Sequence, residues 1–390
     1  MTNLTRRTFV AGSAAFSLAA ASPWDLTAQA PQSSTRILVG SGTPDGVLGF
    51  AWDAATGTLA AEGVVGGVSH STWLDISPDR RYLYVACELD VFQGKPTGAV
   101  ASFRMPEAKS GGKLTPISFV ASHGKGTCHL TTDPTGHVVI CANYSGGSAA
   151  SFVATDGKLS EAVWSEQYTG NGPVKDRQEA AHAHFISISP NHRFVYVNDL
   201  GADKIHIYTL NAATGKLAPA GAYQARPGDG PRTLHFHPSG KVAYCVNELR
   251  STVTVLQWNA SGGSLTPIQT ANLLPEGDTP KHGQVTNTGC DTVLTRDGRF
   301  AYFANRGDDF LMSFHIDPAG TLTPFADNPR TSCGGKTPRN FTLDPTERWM
   351  LVANQNSSNL SVFARNPKTG ELANEGKNCP AATPMCIVFV

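Results

Sequence analysis

No segment of this sequence is apolar over the roughly 18 residues that a bilayer-spanning helix needs, so no membrane insertion is expected. Charge is sparse as well. Only 16% of the 390 residues are charged, and 31 basic side chains balance 31 acidic ones. Without a run of like charge there is no electrostatic footprint for nucleic acid. Cysteine occurs eight times, but never in the C-x-x-C spacing of a zinc or redox centre. No Gly-x-Ser-x-Gly elbow is present, which argues against a serine hydrolase of that type. Nor is there a glycine-rich phosphate loop, since Ser145–Ser148 reads as a hairpin turn. The chain is therefore expected to need neither metal nor cofactor.

What the chain has is a repeat. Phe194-Val-Tyr-Val-Asn-Asp199 returns as Val242-Ala-Tyr-Cys-Val-Asn-Glu248, Phe300-Ala-Tyr-Phe-Ala-Asn-Arg306 and Trp349-Met-Leu-Val-Ala-Asn-Gln355. Looser copies are Tyr82–Glu88 and Val138–Tyr144. The residue closing each copy recurs after 56, 55, 49, 58 and 49 residues. A period near fifty fits one four-stranded propeller blade. Each copy is preceded by a Pro-centred turn such as Ile188-Ser-Pro-Asn191, whose residues favour type I geometry. It is followed by an alternating strand such as Lys204–Leu210, and then by a Gly-x-Leu signal such as Gly215-Lys-Leu217. Short, evenly spaced strands predict an all-β fold.

Six copies are complete, and the two ends supply a seventh. Ile37–Gly40, Val47–Trp52 and Leu59–Gly63 read as the second to fourth strands of a blade, and Cys386–Val390 as its first. Residues 31–390 are thus expected to form a single seven-bladed β-propeller, closed by pairing the C-terminal strand with the N-terminal three. Such closure removes exposed sheet edges.

Residues 1–30 read as a leader. Thr5-Arg-Arg-Thr-Phe-Val-Ala11 is a twin-arginine motif, an apolar stretch runs from Phe9 to Ala21, and Ala28-Gln-Ala30 suits cleavage. Export through the Tat translocase to the periplasm or beyond follows as an expectation. The mature chain would carry 29 basic and 30 acidic residues and is expected to be a monomer. In an oxidising compartment Cys379 and Cys386 could pair, whereas Cys141 and Cys245, inside strands, read as buried thiols.

A repeat acts as its own alignment: scaffold positions agree between copies, and positions that do chemistry differ. Six residues before each turn Pro, or its equivalent Arg296, stand Thr72, Cys128, His184, Arg232, Cys290 and Arg339. Directly after the Tyr-Val-Asn strand stand Glu88, Tyr144, Asp199, Glu248, Arg306 and Gln355. Both sets fall at one end of the same hairpins, beside the central channel. One channel mouth therefore collects His184, Arg232, Arg306, Arg339, Glu88, Asp199 and Glu248. Arginine forks suit carboxylates and developing oxyanions, and a His exchanges protons near neutral pH. His235 and His237 lie on one strand face, but His237 abuts the turn and the pair reads as structural. His182 beside His184 leaves a metal there as the minority reading.

Ala181–Phe185, Asp199–Lys204, Gly228-Asp-Gly-Pro-Arg-Thr233, Val246–Leu249, Ala304–Gly307 and Gly335–Asn340 resemble the seven-bladed lactonase family, which includes bacterial 6-phosphogluconolactonase and fungal carboxy-cis,cis-muconate cyclase. The resemblance runs from about Ile37 to Val390. It implies a metal-free propeller acting on a lactone, with His184, Arg232, Glu248 and Arg306 at the catalytic positions. Asp199, Arg339, Tyr144, Glu88 and Gln355 are the expected substrate-binding residues. Thr233 departs from the family, which usually has His there. Glu248 is expected as general base on water, Arg232 and Arg306 as holders of the carbonyl oxygen, and His184, oriented by Asp199, as proton donor to the leaving oxygen. The alternatives are a carboxymuconate-type cycloisomerase, running the same chemistry in reverse, and a propeller that only binds a small anion.

Overall fold

In the computed structural model, which describes residues 35–107, 111–274 and 287–390, every regular element is a β-strand. The leader expected at residues 1–30 lies outside these residues. The strands form seven sheets arranged as propeller blades. Blade 1 pairs Pro384–Phe389 with Thr35–Ser41, followed by Val47–Asp53 and Thr58–Gly66. The chain's last strand thus supplies the innermost strand of its first blade. In blades 2 to 7 the innermost strands are Ser71–Ile76, Thr127–Thr132, Ala183–Ile188, Pro231–Phe236, Thr288–Leu294 and Pro338–Leu343. Each innermost strand contacts the next, and Pro384–Phe389 touches both Pro338–Leu343 and Ser71–Ile76, so the ring is closed.

The Tyr-Val-Asn copies are the second strands. They read as unbroken apolar runs because blades stack against one another and cover both faces. Tyr82–Cys87, Val138–Asn143, Phe194–Asp199, Val242–Asn247 and Trp349–Asn354 are buried along their whole length. The core is divided into clusters between neighbouring blades. At the closing seam Ile37, Val39 and Trp52 of blade 1 pack on Trp349, Leu351 and Val362 of blade 7. There the Trp52 and Trp349 rings meet edge to face at 6.2 Å, and Trp349 Nε1 donates to Ala54 O at 2.9 Å. The repeated Asn is scaffold in blades 3 and 7, whereas in blade 6 neither polar atom of the Asn305 side chain has a partner. Asn143 Nδ2 donates to Ser122 O and Ser148 Oγ, and Asn354 Nδ2 to Cys333 O and Ser361 Oγ. In both blades one side chain ties the second strand to its neighbours.

Every innermost strand is bulged at the mouth end. The ladder skips Thr72, Cys128, His184, Arg232, Arg339 and Met385 in their blades, and in blade 6 it skips both Cys290 and Asp291. A bulge re-aims a side chain that regular pleating would fix. Apart from Met385 and Asp291, these bulged residues are those that stand six before the turn. Three of them are latches between blades. Thr72 Oγ1 donates to Thr127 O at 3.4 Å, Cys128 Sγ to His184 O at 3.3 Å and Cys290 Sγ to Arg339 O at 3.0 Å.

All eight cysteines are free. Cys379 sits in the outer strand of blade 7, opposite Leu360. Cys386 sits in the innermost strand of blade 1, opposite Gly40, with its thiol towards Leu74 O. The chain crosses from the rim to the axis between the two, so the pairing open to them in the sequence does not form.

Candidate active site

Glu248 is the centre of the mouth. It follows the second strand of blade 5 and is 2% exposed. Its backbone N–H donates to Gly230 O at 2.8 Å, which fixes it beside the bulge of its own hairpin. Three arginines surround its carboxylate. Arg232 Nε lies 2.9 Å and Arg306 Nη2 2.8 Å from Oε2, and Arg177 Nη2 bonds Oε1. Arg232 also donates through Nη1 to Cys290 O. Burial alone would raise the Glu248 carboxyl, but the charges of Arg306, Arg177 and Arg232 outweigh it and hold the group well below the usual carboxylate range. Both carboxylate oxygens are taken up by guanidiniums, which conflicts with the general-base role expected of it.

His184 points from the bulge of blade 4 into the same mouth. Its ring meets Tyr144 edge to face at 5.6 Å. Burial first, and then the charge of Arg232, push the imidazole well below its ordinary value, so it is neutral near pH 7. Its Nδ1 is buried without a hydrogen-bond partner. Arg306 Nε, also buried, has none either. Two polar atoms left open in a buried mouth are where a substrate would supply the missing bonds.

Asp199 does not orient His184. Its Oδ1 accepts from the backbone N–H of His182 at 2.8 Å and of Ala202 at 3.0 Å, and its Oδ2 lies 3.4 Å from His206 Nε2. The position after the second strand is at the mouth, but this carboxyl turns back to satisfy the chain around it. His182 is equally committed: it stacks on Tyr144 at 4.5 Å, with Nδ1 3.0 Å from Tyr144 O and Nε2 3.0 Å from Glu179 Oε1. Neither nitrogen is left for a metal. His237 is bonded to Ser239 Oγ and Gly298 O in the turn. Arg339 and Glu88 form a separate pair at 3.4 Å. Gln355 donates its backbone N–H to Thr337 O at 3.0 Å, and among the described residues no ion pair or hydrogen bond joins its side chain to the Glu248 cluster.

Arg177 has no counterpart in the repeat. It lies in the connection 168–182, which leaves the outer strand Trp164–Gln167 of blade 3 and folds over the mouth. Besides Glu248 it donates to Tyr144 OH at 3.3 Å. Gln178 pins the segment. Fully buried, it accepts from Val174 N at 3.2 Å and donates to Leu200 O at 2.9 Å. Gly172 passes so close that a Cβ there would sit 2.3 Å from Gln178 Oε1. The sequence signals were the length of this connection and an Arg shortly before His182.

The mouth thus holds three arginines on one carboxylate, a neutral imidazole and a phenol, groups whose chemistry suits binding a small polar molecule. The family described as "Lactonase, 7-bladed beta-propeller" matches residues 36–389. The 6-phosphogluconolactonase of Bacillus subtilis is 31% identical over 350 residues, 90% of this chain and 95% of that protein. The 6-phosphogluconolactonase of Formosa agariphila is 30% identical over 84% of this chain and 90% of its own length. Among solved structures, the periplasmic gluconolactonase PpgL of Pseudomonas aeruginosa superposes with a TM-score of 0.82 and 32% identity, covering 92% of this chain and 99% of that one.

Proposed function

This chain belongs to the seven-bladed β-propeller lactonase family, and from that footing we propose that it hydrolyses a sugar-type or carboxylated lactone at the arginine-lined mouth. The observation that carries the reading is the buried Glu248 carboxylate held by Arg177, Arg232 and Arg306 beside a neutral, unpartnered His184. The division of labour differs from that expected of the motifs. Glu248 anchors the guanidiniums, while His184 carries the proton. Water attacks the acyl carbon and passes its proton to His184 Nδ1. The carbonyl oxygen becomes an oxyanion facing Arg306 Nε and the remaining Arg232 donors, which favour that charge more than the neutral carbonyl. Collapse of the tetrahedral intermediate breaks the acyl–oxygen bond of the ring. The imidazolium then returns the proton to the departing oxygen, leaving a hydroxy acid. Tyr144 and Arg177, bonded to each other beside Glu248, would hold the rest of the substrate.

Two relatives are named for a phosphorylated lactone and one solved neighbour for gluconolactone in the periplasm. Phosphorylated sugars are metabolised inside cells. The twin-arginine motif at Arg6 and Arg7 therefore favours an unphosphorylated aldonolactone met outside the cytoplasm. The test is pH-stat titration of purified mature protein against glucono-δ-lactone and a panel of other lactones, with the spontaneous rate subtracted. Acid release proportional to enzyme is expected. If no lactone is opened but a carboxymuconate is closed, the cycloisomerase reading replaces this one; if small acids only bind, the mouth is a receptor. Export has its own test: changing Arg6 and Arg7 to Lys should leave folded precursor in the cytoplasm, and unchanged periplasmic yield would rule the route out.

A further inference from the structure

We propose that the central channel carries a second binding site, independent of the arginine mouth and of its reading, for a small organic cation of the ammonium type. Beyond the bulged ring the innermost strands line an open cavity of about 470 Å³, within the size range of small-ligand sites. The end nearer the bulges is crossed by a belt of rings from four successive blades. The His129 ring lies 4.3 Å from that of Trp73 and 3.8 Å from that of Phe185, and His235 lies 5.0 Å from Phe185. Towards the turns the lining becomes apolar, with Ile188, Phe236, Val293 and Val388.

Two carboxyl groups line this space, Asp75 and Asp291, and no Lys or Arg does. Asp291 is occupied: it accepts from Asn340 Nδ2 at 2.9 Å and Thr292 N at 2.8 Å, and faces His235 Nε2 at 3.1 Å. Asp75 accepts the backbone N–H groups of Ile76 and Thr132, with the Thr131 and Thr132 hydroxyls beside it. No cationic side chain bonds it among the described residues. Burial, opposed by those hydrogen bonds, pushes its carboxyl up to about 6, so it still ionises at neutral pH. The Thr292 hydroxyl, 4% exposed, lines the cavity without a partner. An unpaired carboxylate, aromatic rings and an apolar vestibule together are the chemistry that recognises ammonium groups. A metal ion fits less well, because among the described residues no group of three or more His, Cys, Asp or Glu could hold one. The anions that suit the mouth would meet Asp75 and Asp291 here and be repelled.

The test is calorimetric titration of purified mature protein with benzyltrimethylammonium, using benzyl alcohol as the neutral probe. Asp75→Asn and Trp73→Leu are the variants, and thermal melting checks their folding. Saturable one-site binding is expected. Benzyl alcohol, and the cation on either variant, should each bind roughly tenfold more weakly or worse. The proposal is overturned by no saturable binding to the folded wild type, by equal affinity for the neutral probe, or by unchanged affinity in Trp73→Leu. The last outcome stands even if Asp75→Asn fails to fold. None of these outcomes touches lactone hydrolysis at the mouth.

Discussion

Glu248 is the residue whose replacement separates the two mechanisms. Glu248→Gln keeps the shape but leaves Arg177, Arg232 and Arg306 crowded without a counter-charge. Removing one partner of such a buried array costs about 3–5 kcal/mol. A marked drop in melting temperature should therefore accompany lost activity. A variant that melts like wild type yet turns over no lactone would make Glu248 the base after all. His184→Asn should do the opposite: turnover falls about 10²–10⁴-fold with KM and melting temperature little changed. The pH profile gives a third check. His184 is held neutral in the fold, so the rate it supports as a base is lost only as pH falls through its depressed value. The acid limb of kcat/KM should then lie below 6.5, the ordinary histidine value. The same depression sets a stability slope. Below about 6.5 the unfolded chain binds a proton that folded His184 refuses, so its contribution to stability declines with acidification. An acid limb at or above 6.5 would remove His184 as the base. His184, Arg232, Glu248 and Arg306 could be singled out in the sequence because copies of a repeat that differ at one position reveal it. The direction of Asp199 could not, because a position in a hairpin does not say which way a short carboxyl turns.

The elements of the blades were legible for a simple reason: apolar runs of five to seven residues between Pro-centred turns leave few alternatives to a buried strand. The bulges were not. Period-two reasoning assumes an unbroken ladder, and nothing in Ala183–Ile188 as a string marks His184 as the skipped residue. The connection 168–182 was also missed as part of the site, since it lies outside the repeat that served as the alignment. Its contribution is testable at its anchor. Gln178 touches no mouth residue directly, yet it fixes the turn Val174–Gln178 from which Arg177 reaches Glu248 and Tyr144. Gln178→Ala should raise KM several-fold, roughly 1–2 kcal/mol of lost positioning, while kcat changes less. Amide exchange should quicken in 168–182 and not in the blade strands. Uniform exchange across the blades would mean that Gln178 serves global stability only, and an unchanged KM would mean that the segment does not shape the mouth.

At the scale of the molecule the argument turns on the closing strand. Six blades are continuous in the chain, but blade 1 is assembled from both ends, with Pro384–Phe389 laid along Thr35–Ser41. The seam is not a loose zip. Met385, Cys386 and Ile387 are buried, Ile387 N donates to Asn340 Oδ1 at 2.9 Å, and Ile387 packs in the cluster that joins blades 1 and 7. Deleting residues 384–390 would uncover Ile37 and Val39, which pack with Ile387, and Leu38 and Leu74, which pack with Cys386, beside the loss of the strand itself. At about 1.5–3 kcal/mol for each large apolar side chain returned to water, a handful of them matches the whole net stability of a domain, about 5–15 kcal/mol. It would also bare the unpaired edge of Thr35–Ser41, a template for aggregation. The truncated chain should be insoluble, or soluble without a cooperative melt and quickly cut by protease. Because blades 2 to 7 each keep all their strands, partial melting confined to blade 1 is the competing outcome. A truncated protein that melts cooperatively at the wild-type temperature would show that stacking between blades alone suffices, and that the ring does not depend on its seam.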